Sequence, residues 1–214
     1  MYWIGLIRIK PQGFKSQQNK KYCMGKRSNM REYISKLIET KNLIIKDTNM
    51  NDCGELQHIC STWEDKELLE GDSFEPNHIL KCLTEGDLPP IQNASKKNYC
   101  LKSIYSKHYC CIIGFIDIYH GYPKSDTLWI SMFVLHKDFH NKGFGQEVMG
   151  ALERDATETI YYKIGLGVYL KNWKALRFWT KSGFDKVIGI YGDKVFGQDK
   201  YALIGLEKSI ELIL

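Results

Sequence analysis

From residue 41 onward the apolar residues fall into two alternating rhythms, and the switches between them divide the chain into elements. Residues 42–46 form a short β-branched run that predicts a strand. In residues 52–63, Leu56, Ile59, Cys60 and Trp63 recur at helical spacing. A second helix is predicted over 76–84, opened near Pro76 and ended by Gly86-Asp87-Leu88-Pro89-Pro90. Strands follow over 99–105, 109–119 and, after a Gly-Tyr-Pro turn, 127–135. A glycine-bearing turn then opens a helix over 143–157, with Phe144, Val148, Ala151 and Leu152 on one face. A strand over 164–170, a helix over 172–182 closed by Gly183, and strands over 186–191 and 200–206 complete the pattern. The order predicts one α/β domain with a mixed central sheet of about seven strands and about four helices.

Composition alters this picture mainly at the start of the chain. Residues 1–36 hold nine of the 30 Lys/Arg but one of the 25 Asp/Glu, a net +8, so the remainder carries −3 of the overall +5. The basic charge therefore belongs to a weakly periodic extension, residues 1–36, expected to be partly disordered, ahead of a folded domain over 37–214. Met30, followed by a helix-like pattern, is a candidate start of the chain. The folded part has no basic face for nucleic acid, and no run approaches the roughly 20 apolar residues of a membrane span. The first residues place their positive charge after the apolar ones, the wrong order for a secretory signal. The expectation is a cytoplasmic protein, without nucleic-acid or membrane partners, and admitting a homodimer. The seven cysteines then read as reduced, mostly buried thiols, with Cys110 and Cys111 on opposite faces of a strand. No Cys/His spacing suggests a metal, so none is expected.

The segment with chemical promise is Thr127 to Glu153. An apolar strand runs into His140-Asn141-Lys142-Gly143-Phe144-Gly145, and the glycines open an amphipathic helix. Glycine permits a tight bend and close backbone approach, and the first amides of a helix point outward without partners. Such a turn suits a phosphate, helped by the helix dipole and by Lys142. The Gly-x-x-x-x-Gly-Lys-Ser/Thr pattern of nucleotide hydrolases is missing, and Val148 stands where a dinucleotide fold needs its third glycine. Taken alone, the loop is also compatible with a plain turn.

The loop resembles the Arg/Gln-x-x-Gly-x-Gly/Ala motif of the GNAT acetyltransferases, with His140 in the first position. A second resemblance follows at the family's spacing. Its Asn-x-x-Ala-x-x-Phe-Tyr-x-Lys-x-Gly-Phe motif is matched by Asn172-Trp173-Lys174-Ala175-Leu176-Arg177-Phe178-Trp179-Thr180-Lys181-Ser182-Gly183-Phe184. The stretch 37–45 is similar to the first strand of many bacterial members. The resemblance implies a GNAT fold and acetyl-CoA as co-substrate. It assigns the pantetheine arm to the main chain of Phe133, Val134 and Leu135. The pyrophosphate falls to the backbone amides of Asn141, Lys142, Gly143, Phe144, Gly145 and Gln146, with His140 opening the co-substrate motif and a further contact to Asn172, which also reads as a helix N-cap.

The same comparison exposes gaps. The family's usual acid is the tyrosine of the second motif, where this chain has Trp179, and the basic glutamate of related enzymes falls on Gly167. Candidates for proton transfer are His136, Asp117 and His120, with Tyr119, Asp126, Tyr169 and Tyr191 nearby in sequence. The acceptor segment implied by the resemblance carries Glu64, Asp65, Glu67, Glu70, Asp72 and Glu75, with Trp63, Glu64 and Phe74 as candidate substrate contacts. The implied activity is transfer of an acetyl group to a primary amine of a small molecule. A CoA-binding regulatory module and a protein N-terminal or lysine acetyltransferase are the alternatives.

Overall fold

The computed structural model describes residues 30–211. The strands are β1 (Leu37–Glu39), β2 (Leu43–Asp47), β3 (Tyr99–Ser106), β4 (Cys111–His120), β5 (Thr127–Leu135), β6 (Lys163–Tyr169), β7 (Lys186–Gly192) and β8 (Ala202–Ser209). The helices are α1 (Cys53–Ser61), α2 (Lys66–Glu70), α3 (His78–Thr84), α4 (Phe144–Thr157) and α5 (Trp173–Lys181). All eight strands form one sheet in the order β1-β2-β3-β4-β5-β6-β8-β7. Neighbours run antiparallel except β5 and β6, which are parallel. This is the expected α/β architecture with one more strand and one more helix than the pattern predicted.

The sheet is covered on both faces, which explains why β5 reads as an uninterrupted apolar run buried along its whole length. One face packs Ile116, Ile118, Ile130, Phe133, Leu135, Ile164 and Leu166 against α4 and α5. The other packs Phe115, Tyr119, Trp129, Met132 and Val134 against α1 and α3. Along β5 the alternation breaks once. Asp117 pairs with Met132 and Ile118 with Ile130, so Ser131 is an extra residue forming a bulge.

Several predicted boundaries move, each for a local reason. The stretch resembling a first strand folds as the β1–β2 hairpin. The strand predicted from 109 starts at Cys111, because Cys110 is left-handed (φ 53°) and sits exposed in a turn. The six cysteines among the described residues are free thiols; Cys23 lies outside them.

Of the basic lead-in, residues 30–36 pack onto the domain and residues 1–29 lie outside the described residues. The helix-like spacing after Met30 forms no helix. Instead Arg31 bridges to Thr159, and its guanidinium pairs with Asp155 at 2.9 Å. Ile34 is buried, and the buried ammonium of Lys102 donates to the Ser35 carbonyl (2.7 Å) and to Asp47 (2.6 Å).

Candidate active site

β5 and β6 begin as paired neighbours and then part. Their ladder runs from Thr127–Lys163 to Ile130–Leu166, yet β5 continues to Leu135 and β6 to Tyr169. The Ser131 bulge sits where the pairing stops. Beyond it, the edge of β5 that faces β6 has no strand to bond, so Phe133, Val134 and Leu135 present main-chain groups to a gap. Their side chains are buried to either side of the sheet.

The gap opens onto the glycine loop. His140 closes the loop onto the strand, its Nε2 lying 2.7 Å from the Leu135 carbonyl. A carbonyl only accepts, so Nε2 carries the proton. Burial holds this imidazole below its ordinary pKa, opposed by that same hydrogen bond, so His140 is a neutral anchor. Asn141 and Gly143 are both left-handed (φ 59° and 85°), which turns the chain into α4. The first helical hydrogen bond runs from Glu147 N–H to the Gly143 carbonyl, so the amides of Phe144, Gly145 and Gln146 have no carbonyl within the helix. A Cβ on Gly145 would lie 3.1 Å from the Phe178 ring, whereas one on Gly143 would meet nothing. Gly145 therefore serves packing and Gly143 backbone conformation.

A cavity of about 230 Å³ lies here, lined by Leu135, Phe139, His140, Asn141, Gly143, Gly145, Gln146 and Phe178. It gathers six of the residues expected to contact the co-substrate. Lys142 is exposed beside it, its ammonium 5.2 Å from the Tyr109 ring centre and 5.5 Å from that of Phe139. Phe144 is buried against the sheet. Asn172 is buried and caps α5, its Oδ1 accepting from the Ala175 amide at 3.2 Å. Phe139 and Phe178 were missed as lining residues. Phe178 had a signal, its place in the second motif, whereas Phe139 had none.

The three expected proton-transfer residues are not brought together, and each is engaged in hydrogen bonding. His120 is buried at the opposite end of β4, paired with Leu128. Its Nδ1 donates to the Asn98 carbonyl (2.9 Å) and its Nε2 accepts from the Ile34 amide (3.3 Å). Burial lowers its pKa to about 4. Both nitrogens are committed, and it is a structural histidine. Asp117 is fully buried in mid-strand, accepting from Tyr99 Oη at 3.1 Å. Burial, then the nearby Asp87, pushes its carboxyl well above the usual range. His136 directly follows β5, near the gap, but its Nδ1 accepts from the Asp138 amide at 3.2 Å and so has no spare lone pair. Tyr119 and Asp126 are also occupied, the first accepting from the Ser95 amide and the second facing Lys163. Trp179 is buried in the core beside Phe133 and Phe184, and its indole N–H has no hydrogen-bond partner among the described residues.

On the other face, the segment from Trp63 to Phe74 reaches both sides of the gap. Glu64 pairs with Lys137 (3.2 Å), just past the end of β5. Tyr201, next to β8, donates its hydroxyl to the Glu67 carbonyl (3.3 Å). The Trp63 and Phe74 ring centres lie 5.8 Å apart with their planes tilted by 59°, and Glu64 is exposed. Tyr169, at the end of β6, has its pKa raised to about 12 by burial and then by Glu70 and Asp72.

These features have counterparts among known proteins. The model of the Acetyltransferase (GNAT) family matches residues 63–184, more than half of the chain. No curated protein matches. Among solved structures, a GCN5-related N-acetyltransferase from Brucella melitensis aligns with TM-score 0.64 at 11% identity, covering 84% of this chain and 81% of that one. A GNAT-family acetyltransferase from Bacillus anthracis gives 0.61 at 16% identity, with 81% and 98% covered. The spermidine/spermine N-acetyltransferase SpeG from Vibrio cholerae gives 0.54 at 14% identity, with 78% and 92% covered. At such identities the structural likenesses speak for the fold, while the family model covers the glycine loop and the second motif together. This chain belongs to the GNAT family of acetyltransferases.

Proposed function

We propose that the protein transfers the acetyl group of acetyl-CoA to a primary amine of a small molecule. The observation that carries this reading is the unpaired edge of β5 leading into a cavity at the start of α4. An extended, amide-bearing chain fits the edge, and a phosphate fits the cavity. Phe133, Val134 and Leu135 supply the main-chain groups, and one of their amides is placed to polarise the thioester carbonyl. The amides of Phe144, Gly145 and Gln146, aided by the helix dipole and Lys142, hold the pyrophosphate.

In the reaction the amine nitrogen bonds to the acetyl carbon, the carbon–sulfur bond breaks, the nitrogen releases a proton and the thiolate takes one. With His120, Asp117 and His136 engaged as described, positioning of an amine that arrives neutral carries the attack. Tyr169 stands at the end of β6, beyond its last pair with β5, and keeps its proton throughout the neutral range, which suits it to protonate the thiolate. A panel of amines tested with acetyl-CoA and a thiol reagent should reveal thiol release with at least one of them. Tyr169→Phe should then lower kcat by about 10²-fold and leave acetyl-CoA binding intact. Acetyl-CoA binding without thiol release across the panel would favour the regulatory module, a reading supported by Trp179 in the acid position.

A further inference from the structure

The segment over the gap contains a buried lysine. Lys66 Nζ lies 5.7 Å from the ring centre of Trp63 and 5.0 Å from that of Phe74. It is 3.7 Å from the Glu70 carboxylate and pairs with Asp72. The Lys66 and Glu70 side chains are 7% and 1% exposed, whereas Asp72 is 72% exposed. Two aromatic faces and a buried carboxylate around an ammonium form a recognition set for alkylammonium ions.

Three features distinguish this cage from an ordinary ion pair. Its position is the first: the segment is tied to the end of β5 through Glu64–Lys137 and to β8 through Tyr201–Glu67, and Tyr169 lies beside Glu70 and Asp72. The second is its wall, a helix of only five residues ended by a left-handed Gly71 (φ 90°). The third is the exposed Asp72, which offers a displaced ammonium a resting place at the rim.

We propose that the Trp63–Phe74–Glu70 cage binds the alkylammonium group of an acceptor, and that Lys66 is a tethered occupant which the acceptor displaces. The inference rests on the reading of the chain as an amine acetyltransferase and names its substrate class, an amine with a second, cationic alkyl nitrogen. A tethered competitor acts at high effective concentration, so its removal strengthens binding of the free ligand.

The test is calorimetric titration of the full chain with n-pentylamine, which reproduces the end of a lysine side chain. Lys66→Met, which keeps the length and loses the charge, should bind at least tenfold more tightly than wild type, and adding Glu70→Gln should remove that gain. In wild type, the ¹⁵Nζ resonance of Lys66 should move toward that of an exposed lysine as pentylamine saturates. Unchanged or weaker binding in a folded Lys66→Met overturns the proposal, and so does an unmoved Nζ resonance at saturation, which requires no variant. Stabilisation by acetyl-CoA, measured on the same samples, reports the co-substrate site separately: its loss would defeat the acetyl-transfer reading and leave the cage result standing.

Discussion

At the scale of single residues, the site divides into groups whose chemistry is visible in sequence and groups whose state depends on burial. Asp117 belongs to the second kind. Its folded-state pKa lies above its unfolded value, so the protein takes up a proton there on folding. The associated stability is fully present below about pH 3.9 and is lost as pH rises toward the folded pKa. Asp117→Asn should therefore raise Tm relative to wild type at pH 7.5, with the difference shrinking toward pH 4; a constant or reversed difference in a pH series of thermal melts would contradict this. The sequence marked Asp117, His120 and His136 as titratable but not what they face. His120 looks like a base until Asn98 and Ile34, 22 and 86 residues away in the chain, are seen to use both its nitrogens. By contrast, His140 to Gly145 were legible, because glycine at a strand–helix junction carries its reason within a few residues.

Among elements, the junction of β5 with α4 gives the sharpest expectation. Gly143→Ala places a side chain on a left-handed residue, costing roughly 1 kcal/mol, while Gly145→Val forces Cβ into Phe178 and costs about 1–3 kcal/mol. Both should reduce the stabilisation given by saturating acetyl-CoA, which for wild type is about 2.7 kcal/mol at one hundred times Kd. Equal ligand-induced shifts in all three proteins would refute the loop's role. The long elements were readable in sequence, α4 from its helical period and β5 from its unbroken apolar run. β1 and α2, with three and five residues, are too short to show a period. The Ser131 bulge was hidden for another reason. β5 is apolar on both faces, so the step at which its alternation inverts leaves no trace in hydrophobicity.

Over the whole molecule, residues 30–36 act as a strap that ties α4 to the sheet. Although burial opposes it, the Asp155 carboxyl is held below its usual pKa by Arg31 and Ser35, whose amide donates at 2.7 Å. Removal of 1–36 discards the buried Ile34, worth about 1.5–3 kcal/mol, and takes an acceptor from Lys102, so Tm should fall by several degrees, as calorimetry would show. Composition revealed the charge step at residue 36, but charge alone does not say which basic residues find carboxylates. The parting of β5 and β6 has a mechanical consequence as well. β1 to β5 and β6 to β8 are each contiguous in the chain and continuous as sheets, and only four residue pairs join them. Within the sheet, two leaves thus meet along one short seam, and the angle between them is the degree of freedom we expect to yield first. A molecule bonded to both leaves acts as a splint, so loading should stiffen the whole sheet, out to edges that no ligand touches.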